Sequence, residues 1–181
     1  MKKVLCIAVV ALLAVSAVHA EESNAPGNLG VGYQGVFYGD LINAVSVRWA
    51  PAPLGGQIEL GQGGALIEAP GASDIELDII MIKGKLFVTL IERENSVFYA
   101  GASLGYYQIE TKNLLAPSAD LTGFSLAPLV GAEWRLQGLP ELGINFEVSY
   151  ELKSLEAEAG GTTVDVGLYG ITVSTGIAYY F

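Results

Sequence analysis

The 181 residues contain a single cysteine and a single histidine, Cys6 and His19. Both fall in an amino-terminal stretch with the pattern of a secretory leader. Lys2 and Lys3 open it, an apolar run follows, and Val18 and Ala20 suit a cleavage pocket. Cleavage near Ala20 is expected, dividing the chain into a signal peptide, residues 1–20, and one domain, residues 21–181. The apolar run is too short for an anchoring helix. Cys6 precedes most of that run, whereas a lipid-modified cysteine would follow it. The processed chain then has no thiol for a disulfide or a thiolate nucleophile. It also has no imidazole, so a Ser–His or Asp–His pair lacks its base. Transition-metal sites lose their commonest ligand for the same reason. No catalytic residue, metal site or cofactor is expected, and the chain is read as non-enzymatic.

Basic residues are scarce as well: nine Lys and Arg stand against nineteen Asp and Glu, a formal net charge of −10. Loss of Lys2 and Lys3 with the leader makes the remainder more acidic. Nucleic acid, which needs a basic surface, is excluded as a partner. Glycine is abundant, 23 residues, but does not cluster as a linker would, and no second domain is marked.

What the chain does have is period-two alternation. From Tyr169 to Phe181 one set reads Tyr169, Ile171, Val173, Thr175, Ile177, Tyr179 and Phe181. The other reads Gly170, Thr172, Ser174, Gly176, Ala178 and Tyr180. The two sets lie on opposite faces of a strand. Similar segments recur upstream. Leu29, Val31 and Tyr33 oppose Gly30, Gly32 and Gln34; Val45, Val47 and Trp49 oppose Ser46 and Arg48. Pro51 and Pro53 stop that strand. A third segment, from about Gln57 to Ile67, sets Ile58 and Leu60 against Gln57 and Glu59, its register loosened by glycines. The fourth, Ile75 to Glu92, has no clear phase at its start. Later it sets Ile80, Ile82, Leu86, Val88 and Leu90 against Lys83, Lys85 and Thr89. Its β-branched content and the two lysines count against a membrane helix. The fifth and sixth segments put Phe98, Leu104 and Tyr106, then Phe124, Leu126 and Trp134, on the apolar face. The seventh alternates Leu142, Ile144, Phe146, Val148, Tyr150 and Leu152 with Gly143, Asn145, Glu147, Ser149, Glu151 and Lys153. Eight segments predict an all-β, eight-stranded antiparallel up-and-down barrel, an even number as closure requires.

Alternation alone does not say which face meets solvent. A soluble barrel would need an exterior rich in Lys, Glu and Asp, but the second face here is mostly Gly, Ser, Ala and Asn. Small residues suit the narrow interior that eight strands enclose. The apolar face therefore points to lipid, and the barrel is transmembrane. Phe124 and Trp134 are ten residues apart on it, as are Tyr169 and Tyr179. That spacing spans roughly 25 Å, the height of an apolar band. Trp49, Phe98, Tyr106, Phe124, Trp134, Tyr150 and Tyr169 are the candidate aromatic girdles.

The leader, the eight alternating segments and the terminal Tyr179 and Phe181 resemble the small OmpA-type outer-membrane barrel family. The resemblance implies localisation in the bacterial outer membrane, contact with its lipid, and reading of Tyr179 and Phe181 by the barrel-assembly machinery. It also implies periplasmic turns near 51–56, 93–96 and 137–141, and outward loops near 39–43, 69–74, 112–120 and 156–163. Leu114 and Leu115 in the third of these loops are expected at the rim, with contact to a surface partner as the alternative reading.

The remaining polar constellation is an inward charge set: Arg48, Glu59, Lys83, Lys85, Glu133, Arg135, Glu147, Glu151 and Lys153. Two readings follow. Charges that pair across a narrow, filled lumen are structural, since unpaired buried charge is costly, and the protein's role is then structural or interactive at the surface. Charges that line a gated path make a narrow porin-like channel for ions or small solutes. Passage of an apolar molecule is disfavoured because the inward set reads as polar.

Overall fold

The structure, a computed structural model, describes residues 28–38, 42–50, 53–67, 75–112, 120–159 and 162–181. Eight strands run in chain order: β1 Leu29–Tyr38, β2 Ile42–Trp49, β3 Leu54–Ile67 and β4 Ile75–Arg93. They continue as β5 Ser96–Lys112, β6 Asp120–Leu136, β7 Leu139–Ala159 and β8 Thr162–Tyr180. Each pairs antiparallel with its sequence neighbour, and β1 pairs with β8 to close the barrel. Closure leaves no unpaired sheet edge, the condition for crossing hydrocarbon with strands. The expected leader lies outside the described residues, as do most of the loops near 39–43, 69–74 and 112–120, with Leu114 and Leu115.

The period-two faces are those expected. Val45, Ile58, Ile82, Leu86, Leu104, Leu126, Ile144 and Ile177 stand exposed on the outside. Arg48, Gln57, Glu59, Lys85, Ser103, Ser125, Asn145 and Glu147 are buried within. The third and fourth strands, whose register the sequence leaves open, pair without a break from Leu54↔Val88 to Ile67↔Ile75.

Three boundaries differ from expectation. The turn expected over 51–56 is shorter, because Leu54, Gly55 and Gly56 already belong to the β3 ladder. Gly56 is there because its partner Trp49 lies flat against it; a Cβ at Gly56 would sit 2.0 Å from the indole. The turn expected over 137–141 shrinks to Gln137 and Gly138, the latter at φ 88°, a backbone that suits glycine. The loop expected over 156–163 is largely ladder. Glu156↔Asp165, Ala157↔Val164, Glu158↔Thr163 and Ala159↔Thr162 pair, so β7 and β8 form one long hairpin. The Gly160-Gly161 pair in the sequence is a two-residue hairpin signal, and it outweighs the acidic composition that makes the stretch look like a loop.

Pro128 lies in the middle of β6 and faces outward, a place where alternation alone does not single it out. The β6–β7 ladder pairs Leu126↔Leu152 and Leu129↔Ser149 but skips Ala127 and Pro128, without a change of register. Proline has no N–H to give.

Candidate functional site

The inner face carries the chemistry. All nine inward charges expected from the sequence lie there, and the strand register brings them together. Gln57 pairs with both Arg48 and Lys85, and Glu59 with Lys83, across β2, β3 and β4. Glu147 and Glu151 reach in from the opposite wall on β7.

Three carboxylates organise the set. Glu133 receives Arg48, with Nε 2.9 Å from Oε2, and Arg135 at 3.5 Å. Glu147 receives Arg48 at 3.5 Å and a close contact from Lys85. Glu151 receives Lys83 at 3.0 Å and Lys153 at 3.4 Å. Lys85 also reaches Glu59 at 2.6 Å. The described ion pairs thus run Arg135–Glu133–Arg48–Glu147–Lys85–Glu59, with Lys83–Glu151–Lys153 beside them. Five cations meet four carboxylates, so each charge has an opposite neighbour in place of water. Burial of this kind is sustained only when pairing and hydrogen bonds are nearly complete.

Each of the three carboxylates is also held by a tyrosine hydroxyl. Tyr180 donates to Glu133 at 2.7 Å, Tyr99 to Glu147 at 2.8 Å, and Tyr107 to Glu151 at 2.7 Å. The rings serve the cations as well. Arg48 lies 4.5 Å over Phe87 and 4.8 Å over Tyr99; Arg135 lies 4.1 Å over Tyr180; Lys153 lies 4.6 Å over Tyr107. Gln57 accepts from Arg48 at 2.7 Å and donates to Glu59 at 2.8 Å. These tyrosines and Gln57 are additions to the expected site residues. Their place in the inward set is legible; a buried Tyr hydroxyl usually finds a partner, and the nearby glutamates are the available acceptors.

The inner face is not uniformly polar, which corrects the expectation. Toward the long hairpins, Ile42, Ala44, Ile79, Met81, Tyr107 and Leu155 form a buried apolar cluster. Ile109, Leu121 and Val166 pack against it. Ile79 falls in the part of β4 without a clear phase, and Leu155 beyond the last residue that alternation assigns to a face, so their alignment across the lumen is hidden in the sequence. The space beside the ion pairs, bounded by Gln34, Glu59, Met81 and Glu147 among others, measures about 20 Å³. That is room for about one water molecule.

The outer face is the second candidate surface. Phe98 and Trp134 meet edge to face, centroids 6.3 Å apart, near the short turns. Tyr106 and Phe124 meet at 5.3 Å toward the other end, where Tyr169 is 77% exposed. Trp49 is half-buried near the end of β2, and Tyr150 is exposed at mid-strand of β7, opposite Ile171. Tyr179 and Phe181 stack 6.2 Å apart on the same outer face. Between the two aromatic levels the described outward residues carry no charge, whereas Glu76, Glu110, Glu156 and Asp165 are exposed beyond the upper one. This is how a barrel divides its wall between hydrocarbon and water.

No family model matches the chain, and no curated relative does. Solved structures do. A major outer membrane protein from Thermus thermophilus superimposes with TM-score 0.53 at 13% identity, covering 84% of this chain and 98% of its own. The outer membrane protein AlkL, determined in DMPC bilayers, does so with TM-score 0.53 at 14% identity, covering 90% and 94%. The fold is that of a small outer-membrane barrel. At this identity the likeness extends to architecture, and the function has to be argued from the wall and the lumen of this chain.

Proposed function

We propose that this chain is an integral outer-membrane barrel with an occluded lumen, acting through its structure and surface contacts and neither as an enzyme nor as an open pore. One observation carries the reading: the ion-pair ladder and the apolar cluster above it close the lumen in succession, leaving between the two only water-sized space. In the proposed orientation the short turns face the periplasm and the long hairpins face outward. Export through the leader 1–20 and recognition of Tyr179 and Phe181 by the assembly machinery belong to the same proposal. Phe98 and Trp134 at one level and Tyr106, Phe124 and Tyr169 at the other hold the barrel at its two lipid interfaces, whereas Tyr150 lies between them.

The test is ion conductance of refolded protein in a planar bilayer, with folding verified by the mobility difference between unboiled and boiled gel samples. A folded, silent barrel is expected. Discrete channels that vanish when Lys83 and Lys85 are neutralised would move the assignment to a narrow gated channel. A chain that never inserts would defeat the membrane reading.

A further inference from the structure

The short-turn mouth of the barrel holds a second, larger cavity of about 360 Å³. Its floor is made by Arg48 and Glu133, the lower end of the ion-pair ladder, and its wall and rim by Arg135, Arg93, Glu92 and Glu94. Ligand sites typically occupy clefts of about this size. The ladder is paired off, but the wall is not. Arg135 touches Glu133 only through Nε at 3.5 Å, and its guanidinium lies 4.1 Å over the Tyr180 ring with no hydrogen bond among the described residues. The side chains of Arg93, Glu92 and Glu94 likewise have no hydrogen bond or ion pair among the described residues.

The backbone is irregular around the same mouth. A bulge in β4 between Thr89 and Ile91 shifts the alternation, so Glu92 pairs with Val97, whose side chain packs among the lumen residues Phe87, Tyr99 and Leu129. Glu92 is thereby turned inward, where a regular strand would have pointed it out; bulges often re-aim a side chain in this way. A second irregularity, between Arg135 and Leu136, ends β6 where Arg135 enters the cavity.

We infer that this mouth is a binding site for a short zwitterionic peptide, its carboxylate on Arg135 and its ammonium at Glu92 and Glu94. A guanidinium fixed on a ring with its terminal nitrogens uncommitted suits bidentate capture of a carboxylate. Carboxylates on the rim of the same cavity, with Glu92 on β4, Arg135 on β6 and strand β5 between them, favour a ligand with a positive group some distance from its negative one. The volume admits two or three small residues. This site is independent of whether the lumen conducts, because it lies on one side of the ion-pair ladder.

The experiment is a titration of the full refolded chain in micelles with trialanine, followed by amide chemical shifts and by calorimetry. N-acetyl-trialanine and trialanine amide serve as the singly charged controls. Saturable binding of trialanine is expected, with Arg135→Gln and Glu92→Gln each weakening it by about tenfold. The acetylated peptide is expected to bind more weakly and to be indifferent to Glu92→Gln. Arg135→Lys, which keeps the positive charge but loses the planar fork, tests the anion side should Arg135→Gln fail the gel-mobility check for folding. Absence of saturation, or binding by folded Glu92→Gln or by folded Arg135→Lys equal to that of the native chain, would overturn the inference.

Discussion

Near the short turns the interior is closed by charge; toward the long hairpins it is closed by hydrocarbon. The lower part joins Arg48, Lys85, Glu133 and Glu147 through contacts that each depend on the next. The upper part packs Ile42, Ile79, Met81 and Leu155 with no directional bond among them. The difference lies in how each tolerates loss. An ion-pair network missing one member leaves a buried charge unanswered, whereas an apolar cluster missing a side chain leaves a cavity that neighbours partly fill. Tyr107 belongs to both, packing with Met81 while its hydroxyl serves Glu151.

The largest effect should come from breaking the lower region. Glu147→Ala takes a shared carboxylate from Arg48, Lys85 and Tyr99 at once, leaving five cations facing three carboxylates, and should cost about 3–5 kcal/mol, read as a lower urea midpoint in lipid vesicles. An unchanged midpoint would mean that the ladder does not hold the lumen. In the upper region Met81→Ala should cost about 2–3 kcal/mol, toward the low end for truncating a buried aliphatic chain. A larger loss for Met81→Ala than for Glu147→Ala would invert the comparison. Tyr107→Phe probes the shared residue: the ring stays in the cluster while Glu151 loses its hydroxyl, at about 1.5 kcal/mol. Should the cost fall well below that, Glu151 is held by its two lysines and Thr172 without need of the tyrosine. Arg135→Ala removes a less buried arm of the ladder and should cost about 1 kcal/mol or less, read as a slightly lower unfolding temperature; an unchanged temperature would leave Arg135 to the cavity alone.

Much of this is legible in the sequence because a barrel wall has one strong rule. With a period of two, a residue such as Glu147 can be inside only if Phe146 and Val148 are outside, and the apolar set fixes the choice. The nine inward charges follow from that rule. Their pairing does not, because partners such as Arg48 and Glu147 are 99 residues apart and meet only after the barrel closes. The tyrosine caps are hidden for the same reason. The apolar inner cluster escapes because Ile79 sits in a run, Ile79-Ile80-Met81-Ile82, that is hydrophobic on both faces and so gives alternation nothing to register. The β4 bulge that turns Glu92 inward leaves no mark in composition.

Pro128 offers the finest test, since it lies in the wall beside the lower lumen and touches neither closure directly. The β5–β6 ladder keeps its pair Ala102↔Pro128, while the β6–β7 ladder skips 127 and 128. The missing donor is therefore one that would have faced β7, next to Tyr150 and Glu151. Pro128→Val restores an N–H at an outward, lipid-facing position and adds a side chain suited to the sheet. The gain is bounded by the net worth of one hydrogen bond, about 1 kcal/mol, and is offset in part by the greater freedom of valine in the unfolded chain. A rise of up to about 0.5 kcal/mol is expected, with slowed hydrogen exchange of the new amide at position 128 and of its β7 neighbours. If exchange at 128 stays fast while the barrel is folded, the seam between β6 and β7 is held open by something other than the proline. The wall as well as the lumen would then depend on how Glu151 is anchored.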